Sequence, residues 1–282
     1  MNPDGITVYP MVLHLFGPVE ITGFGLAVLA AFIISQFVCQ RELSRRGFQA
    51  ESNAMPDVTL AALLGTLIGA KTYYVILTGD PAAFLSRGGF VFWGGFIGAV
   101  FLCWATIRWR KFSFLRFADV AGIAIAAGYA VGRTGCWAVG DDYGRPWSGP
   151  FAARFPQGAP PSTAAVMQSQ FHVQFPPGTD PTSVIAVHPT QLYEVTMGFI
   201  MFLVLWQFRA HRQREGWLFG MYCVFAGVER FIVEFFRAKD DRLTGGVTTA
   251  QIIAMGIFTI GVAIMAWRRN PDAGSTPARA TA

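Results

Sequence analysis

Two arginines of this sequence stand where arginine is costly. Arg133 and Arg230 lie inside long apolar runs. A charged side chain at mid-bilayer costs about 2.5–3.5 kcal/mol on insertion scales, so such a residue marks a functional site by default. Arg133 belongs to GYAVGRTGCWAVGDDYGRPW (128–147), surrounded by Gly128, Gly132, Gly135 and Gly140. Glycines let a backbone or a ligand approach closely. A guanidinium offers a rigid five-donor fork suited to phosphate or carboxylate. Arg230 belongs to VERFIVEFFR (228–237), where Arg230, Glu234 and Arg237 follow i, i+4 and i+7 and so share one helix face. A third stretch reads HPTQLYE (188–194). Pro189 suits the first turn of a helix, and spacing of three puts His188, Gln191 and Glu194 along one face, near an end that attracts anions. Lys71 follows small residues in GTLIGAKTYYV (65–75).

Together these residues predict a cation surplus. Arg133, Arg230, Lys71 and Arg237 face only Glu194 and Glu234 as neutralising partners. A buried surplus of cations needs an anion, and the abundant anion at this depth is a lipid phosphate. The expectation is a cavity for a phospholipid headgroup, nearer the outer leaflet. Each residue also has a plainer reading. Arg133 and Lys71 can snorkel to the interface. HPTQLYE can be a polar cap with Tyr193 in an aromatic belt. Arg230 and Glu234 can satisfy each other as a structural ladder. An anion transporter is a further alternative, but such folds carry paired repeats, and no internal repeat is visible here.

The elements that must position these residues are membrane helices. Of 282 residues 53% are apolar and 14% charged, where a soluble domain carries about 25% charged residues. Seven windows are long enough to span: Ile21–Gln40, Met55–Thr78, Gly89–Ile107, Phe114–Ala138, Pro189–Phe208, Gly216–Phe236 and Val247–Trp267. The first is not read as a cleaved signal, because acidic rather than basic residues precede it. Thirteen of the 22 Lys and Arg fall in the loops after spans one, three, five and seven; six fall on the other side and three lie within spans. The positive-inside rule then puts the N-terminus outside and the C-terminus in the cytoplasm. Topology accounts for most of the net charge of +5, and no nucleic-acid partner is expected. The fold class is therefore an all-α integral membrane protein with seven transmembrane helices. Residues 1–270 form one domain, and the polar tail 271–282 is expected to be disordered. The long loop 139–187 is expected outside as a small irregular cap, with Phe171–Phe175 alternating like a short strand. Cys39, Cys103, Cys136 and Cys223 form neither a disulfide framework nor a zinc pattern. No metal or organic cofactor is expected.

At these residues the sequence resembles the prolipoprotein diacylglyceryl transferase family. The strong stretches are GRTGCWAVGDDYGRP (132–146), HPTQLYE (188–194) and RFIVEFFR (230–237); GTLIGAKTYYV and FWGGFIG (92–98) match more loosely, and the likeness runs over about residues 10–268. The resemblance implies transfer of a diacylglyceryl group from phosphatidylglycerol to the thiol of a lipobox cysteine in a preprolipoprotein, with glycerol phosphate leaving, in the bacterial cytoplasmic (inner) membrane. Arg133 aligns with the family's phosphatidylglycerol-binding arginine and Arg230 with its second essential arginine. The expected catalytic set is Arg133, Arg230, His188 and Glu194. Lys71, Gly132, Gly135, Gln191, Tyr193, Glu234 and Arg237 join Arg133 in binding substrate.

The sequence departs from the family pattern at four places. Trp93 stands where the family usually has His, Phe24-Gly25 replaces Tyr-Gly, Gly135-Cys136 replaces Gly-Asn, and Lys71 replaces Arg. Trp93 cannot take a proton. A general base must then be His188, Asp141, Asp142 or His14, or a phosphate oxygen of the substrate. The alternative reading is a catalytically degenerate phospholipid-binding protein of the same fold.

Overall fold

The computed structural model describes residues 5–16, 19–86, 89–238 and 246–270; the predicted tail 271–282 lies outside them. The chain is mostly helical. Strands β1 (Ile6–Thr7), β2 (Val12–Phe16) and β3 (Val19–Thr22) precede α1 (Gly23–Arg45), α2 (Gln49–Asn53) and α3 (Met55–Thr78). Then come α4 (Phe92–Trp109), α5 (Phe114–Val139), β4 (Ala153–Arg154), α6 (Ala164–Phe171), α7 (Thr190–Phe208), α8 (Trp217–Val233) and α9 (Thr249–Trp267). Six of these, α1, α3, α4, α5, α7 and α9, are long and apolar enough to cross a membrane. The remaining expected span is α8, which has 17 residues because its helix stops at Val233, ahead of the charged end of the motif.

Residues up to Ser35 and from Gly122 onward form one compact unit, and Gln36–Ala121 form another. In the second unit α3 packs on α4. The GxxxG pairs Gly65/Gly69 and Gly94/Gly98 make this possible. A Cβ at Gly69 would overlap the Gly94 carbonyl oxygen, and one at Gly65 would overlap that of Gly98. Gly79, in the left-handed conformation at φ 68°, ends α3.

In the first unit α8 packs on both α7 and α9. A capping box of Thr248 and Gln251 starts α9. Outward faces are apolar, with Leu29, Ile33, Phe199, Leu203 and Ile260 all exposed. Contiguous apolar surface of this kind suits hydrocarbon rather than water.

Three expectations need correction. The first window does not begin as a helix at Ile21. Strand β2 (Val12–Phe16) pairs antiparallel with β3 (Val19–Thr22), and α1 starts at Gly23. The strand expected at Phe171–Phe175 does not form: Phe171 closes α6, and His172 turns left-handed as its C-cap. Local alternation lost to packing there. The segment between α5 and α7 is also less irregular than expected. It has a core made by Tyr143, Ala153, Phe155, Met167 and Val187, joined by Ala238 from the segment after α8. The Tyr143 and Phe155 rings stack with centroids 5.5 Å apart.

Candidate functional site

The site begins where α5 ends. Gly140, at φ 71°, is left-handed, and its N–H and that of Asp141 both donate to the Cys136 carbonyl. The chain thereby leaves the helix within two turns of Arg133 and enters Asp141–Asp142. Backbone bonds then hold this loop from both sides. Gly144 N–H donates to His188 O and Arg145 N–H to Phe236 O, at 2.9 and 2.8 Å. The first turn of α7 adds two side chains: Thr190 Oγ1 donates to Asp142 O at 2.6 Å, and Gln191 Nε2 donates to Asp141 O. Segments far apart in sequence are thus tied at one place.

Three arginines and three carboxylates meet there. Glu194, on α7, is fully buried. Its Oε1 lies 2.9 Å from Arg133 Nη2, 3.9 Å from Arg230 Nη1 and 3.8 Å from Arg237 Nη1. Glu234 Oε2 sits 2.7 Å from Arg230 Nη2 and 3.9 Å from Arg237 Nε. Asp142 spans the other side, with Oδ2 accepting from Arg133 Nη1 at 2.8 Å and Oδ1 from Arg237 Nη2 at 2.7 Å. Burial raises the Asp142 pKa, but Arg237 and Arg133 outweigh it and hold that pKa at about 2. Next to it, burial pushes Asp141 above the usual carboxylate range.

This geometry corrects the predicted cation surplus. The three arginines are matched one for one, because Asp142 supplies the third negative charge. A further carboxylate, Glu229, is buried on α8 and accepts from Tyr129 Oη at 2.9 Å. Sequence reasoning missed Asp142 as a partner of the arginines and Glu229 as a buried acid. Glu229 was open to detection as an acid inside an apolar span, next to Arg230. Asp142 carried no such signal, since it lies on a loop whose course only the fold sets.

The other expected site residues divide. Gln191 is buried, and its Oε1 has no hydrogen-bond partner among the described residues. His188 does not continue the α7 face. It precedes the helix, stacks on Trp147 at 4.4 Å between centroids and contacts Tyr193 Oη through Nδ1 at 3.1 Å. Burial lowers its proton affinity, which favours the neutral ring. At Gly135 a Cβ would sit 2.8 Å from Ala27 Cβ and 3.1 Å from Phe24 Cα, so this glycine admits the packing of α5 on α1. At Gly132 the nearest atom would be 3.9 Å away, which leaves room. Lys71 belongs to the second unit. There it is buried and donates to Ser86 O at 2.7 Å and Ser86 Oγ at 2.9 Å. His14 pairs with Glu20 across the exposed β2–β3 hairpin at 3.1 Å.

Cys136 Sγ and the carboxylates of Asp141 and Asp142 lie within 4.8 Å of one another, a spacing that could hold a metal ion. Arg133 Nη1, 3.5 Å from Cys136 Sγ and 2.8 Å from Asp142, already supplies the cation. A cavity of about 320 Å³ opens beside the network, lined by Asp141, Asp142, Tyr143, Gln170, Phe171 and Arg237 among others. A set of guanidinium donors next to such a cavity can bind an anion and stabilise charge that develops on it.

Residues 10–267 match the family model described as prolipoprotein diacylglyceryl transferase. The chain belongs to this family. Relatives named phosphatidylglycerol–prolipoprotein diacylglyceryl transferase, from Salmonella arizonae, Shigella boydii and Escherichia coli, are each 30% identical over 277 residues, covering 93% of this chain and 94% of the relative. The matched region contains every residue of the arginine–carboxylate network. Members of this family are transferases, and the apolar helices make this chain a multi-pass membrane protein.

Proposed function

We infer that this protein is a phosphatidylglycerol:prolipoprotein diacylglyceryl transferase of the bacterial cytoplasmic membrane. The observation that carries the reading is the gathering of Arg133, Arg230 and Arg237 around Glu194, within a chain matched to the family over 10–267. Seven crossings, an outside N-terminus and an external 139–187 segment complete the reading. They rest on the charge asymmetry of the loops and on an α8 only a few residues shorter than a span.

Phosphatidylglycerol enters from the bilayer, and its phosphate meets the arginines. The lipobox cysteine gives up its thiol proton to His188, whose partly buried ring is shifted toward the neutral, proton-accepting form. The sulfur attacks the glycerol carbon of the diacylglyceryl group. A C–S bond forms, the C–O bond to phosphate breaks, and the electron pair leaves on glycerol phosphate. Arg133 and Arg230 stabilise the charge gained by that oxygen. Glu194 and Glu234 hold the guanidinium groups in place. Gln191, Tyr193 and Arg237 line the approach, and Gly132 leaves room for it.

The test is an assay of purified protein with phosphatidylglycerol and a lipobox peptide. Thioether product is expected. Arg133→Ala should abolish phosphatidylglycerol binding and lower kcat by roughly 10²–10³ where turnover remains measurable. Normal lipid binding by that variant would sink the arginine clamp. Trp93, where the family usually has His, supports a second reading, a phospholipid binder without turnover. Lipid binding with no thioether product selects that reading and rejects the transferase.

A further inference from the structure

The balanced charge of the network poses a problem for any anionic ligand. A phosphodiester brought to three arginines that already face three carboxylates leaves an excess negative charge in a poorly solvated place, which is costly. One carboxylate has to yield. The three are not equivalent. The side chains of Glu194 and Glu234 are 0% and 1% exposed, whereas that of Asp142 is 40% exposed. Glu194 is part of α7, and Glu234 caps α8. Asp142 sits on a loop in the left-handed region, at φ 53°, a conformation that non-glycine residues rarely adopt. It also borders the cavity.

The contacts of Asp142 are those an anion would make. Its two oxygens each take one guanidinium, Arg133 on one side and Arg237 on the other, at 2.8 and 2.7 Å. Arg237 Nη1, on the same guanidinium, is buried and has no hydrogen-bond acceptor among the described residues. Asp142 leaves that Nη1 without a hydrogen bond, its contact to Glu194 being 3.8 Å. A bulkier phosphate in place of the carboxylate can accept from Arg133, from Arg237 Nη2 and from Nη1.

We propose that Asp142 is an internal stand-in for phosphate, occupying the Arg133 and Arg237 donors until a phosphate-bearing ligand displaces it toward the cavity. The inference rests on the transferase reading for the identity of the ligand, and it deepens that reading by assigning Asp142 a role in setting affinity. The groups facing Asp142 are Arg133 from α5, Arg237 from the segment after α8, Glu194 from α7 behind both arginines, and Asp141 and Cys136 beside it.

A displaced competitor and a positioning residue predict opposite signs. If Asp142 competes with phosphate, removing its charge tightens binding. If it only orients the arginines, removing it weakens binding. Two variants test this: Asp142→Asn keeps the shape, and Asp142→Gly suits the left-handed backbone, so at least one should fold. Affinity is measured in two arms, phosphatidylglycerol in phosphatidylcholine nanodiscs and sn-glycerol 1-phosphate in solution. Binding should tighten roughly three- to tenfold, the size that two half-exposed ion pairs support. Tightening in the lipid arm alone assigns the displacement to substrate, and in the soluble arm alone to product; either supports the proposal. Unchanged or weaker binding in both arms overturns it. A parallel thioether assay of the unmodified protein separates the two ideas. Absence of product with a tighter Asp142→Asn removes the transferase and keeps the stand-in. Product with weaker binding by the variant does the reverse.

Discussion

The α3–α4 pair and the α5–α7–α8 cluster bring helices together by opposite means. In the first, Gly65, Gly69, Gly94 and Gly98 remove side chains until backbones touch. In the second, Glu194, Glu234 and Asp142 draw in Arg133, Arg230 and Arg237. Hydrocarbon gives no hydrophobic reward for helix association, so close packing and polar contacts remain the available means. The glycine pair achieves contact without any desolvation cost. The ionic cluster pays to desolvate six charged groups, and ion pairs of this kind often do no better for stability than apolar packing. Stability therefore does not explain the cluster, and the difference between the two regions supports the proposal that the ionic one is the functional site.

The sharpest way to break this comparison is to remove the hub. Glu194→Gln keeps the shape and deletes the charge that three arginines share. Breaking a buried ion pair in this way costs about 3–5 kcal/mol. The expected result is a large fall in the melting temperature of the detergent-purified protein, with loss of thioether formation. A melting temperature within a degree of the parent would show that the arginines do not depend on Glu194.

A smaller effect is expected from the glycine pair. Gly69→Ala puts a methyl group onto the Gly94 carbonyl oxygen. Overpacking of this kind costs roughly 1–3 kcal/mol, against a helix-propensity gain of about 1 kcal/mol. Backbone cannot move aside as a flexible side chain can, so the clash should win modestly. Stability falls while the KM for phosphatidylglycerol stays the same. A changed KM with unchanged stability would contradict the division of labour between the two regions.

The smallest effect is a titration. The Asp142 carboxyl should titrate at about 2, read by carbon NMR of labelled aspartate. Its depressed value means that the Arg133–Asp142–Arg237 bridge contributes stability above the ordinary aspartate value near 3.9. That contribution is lost as pH falls through about 2. Arg237→Gln removes the stronger lowering partner and should move the midpoint upward. A midpoint that stays in place would mean that Arg237 does not govern this carboxylate. The glycine pair has no charge to titrate and should show no counterpart.

Much of the helical layout was legible beforehand. Seven apolar windows correspond to α1, α3, α4, α5, α7, α8 and α9 within a few residues at most ends. The Arg230/Glu234 pair at i, i+4 also formed as its spacing required. Errors fell where no strong periodicity exists. The first window took in Ile21 and Thr22, the end of β3, because an apolar residue such as Ile21 reads alike in strand or helix. The alternation in FHVQF was overridden because Phe171 packs beside Tyr143 as the end of a helix.

The sequence by itself determined the solvent, the helices and the identity of the costly arginines. Hydropathy acts over about twenty consecutive residues, and helical spacing fixes which side chains share a face. Only the tertiary structure decided which carboxylate neutralises which arginine. Asp142 meets Arg237 across 95 positions, and it meets Arg133 because Gly140 turns the chain out of α5. No periodicity encodes such partners. They follow from where the packed helices and the loop between α5 and α7 bring chain ends together, and that arrangement turned an expected surplus of cations into a balanced network with one exposed, displaceable member.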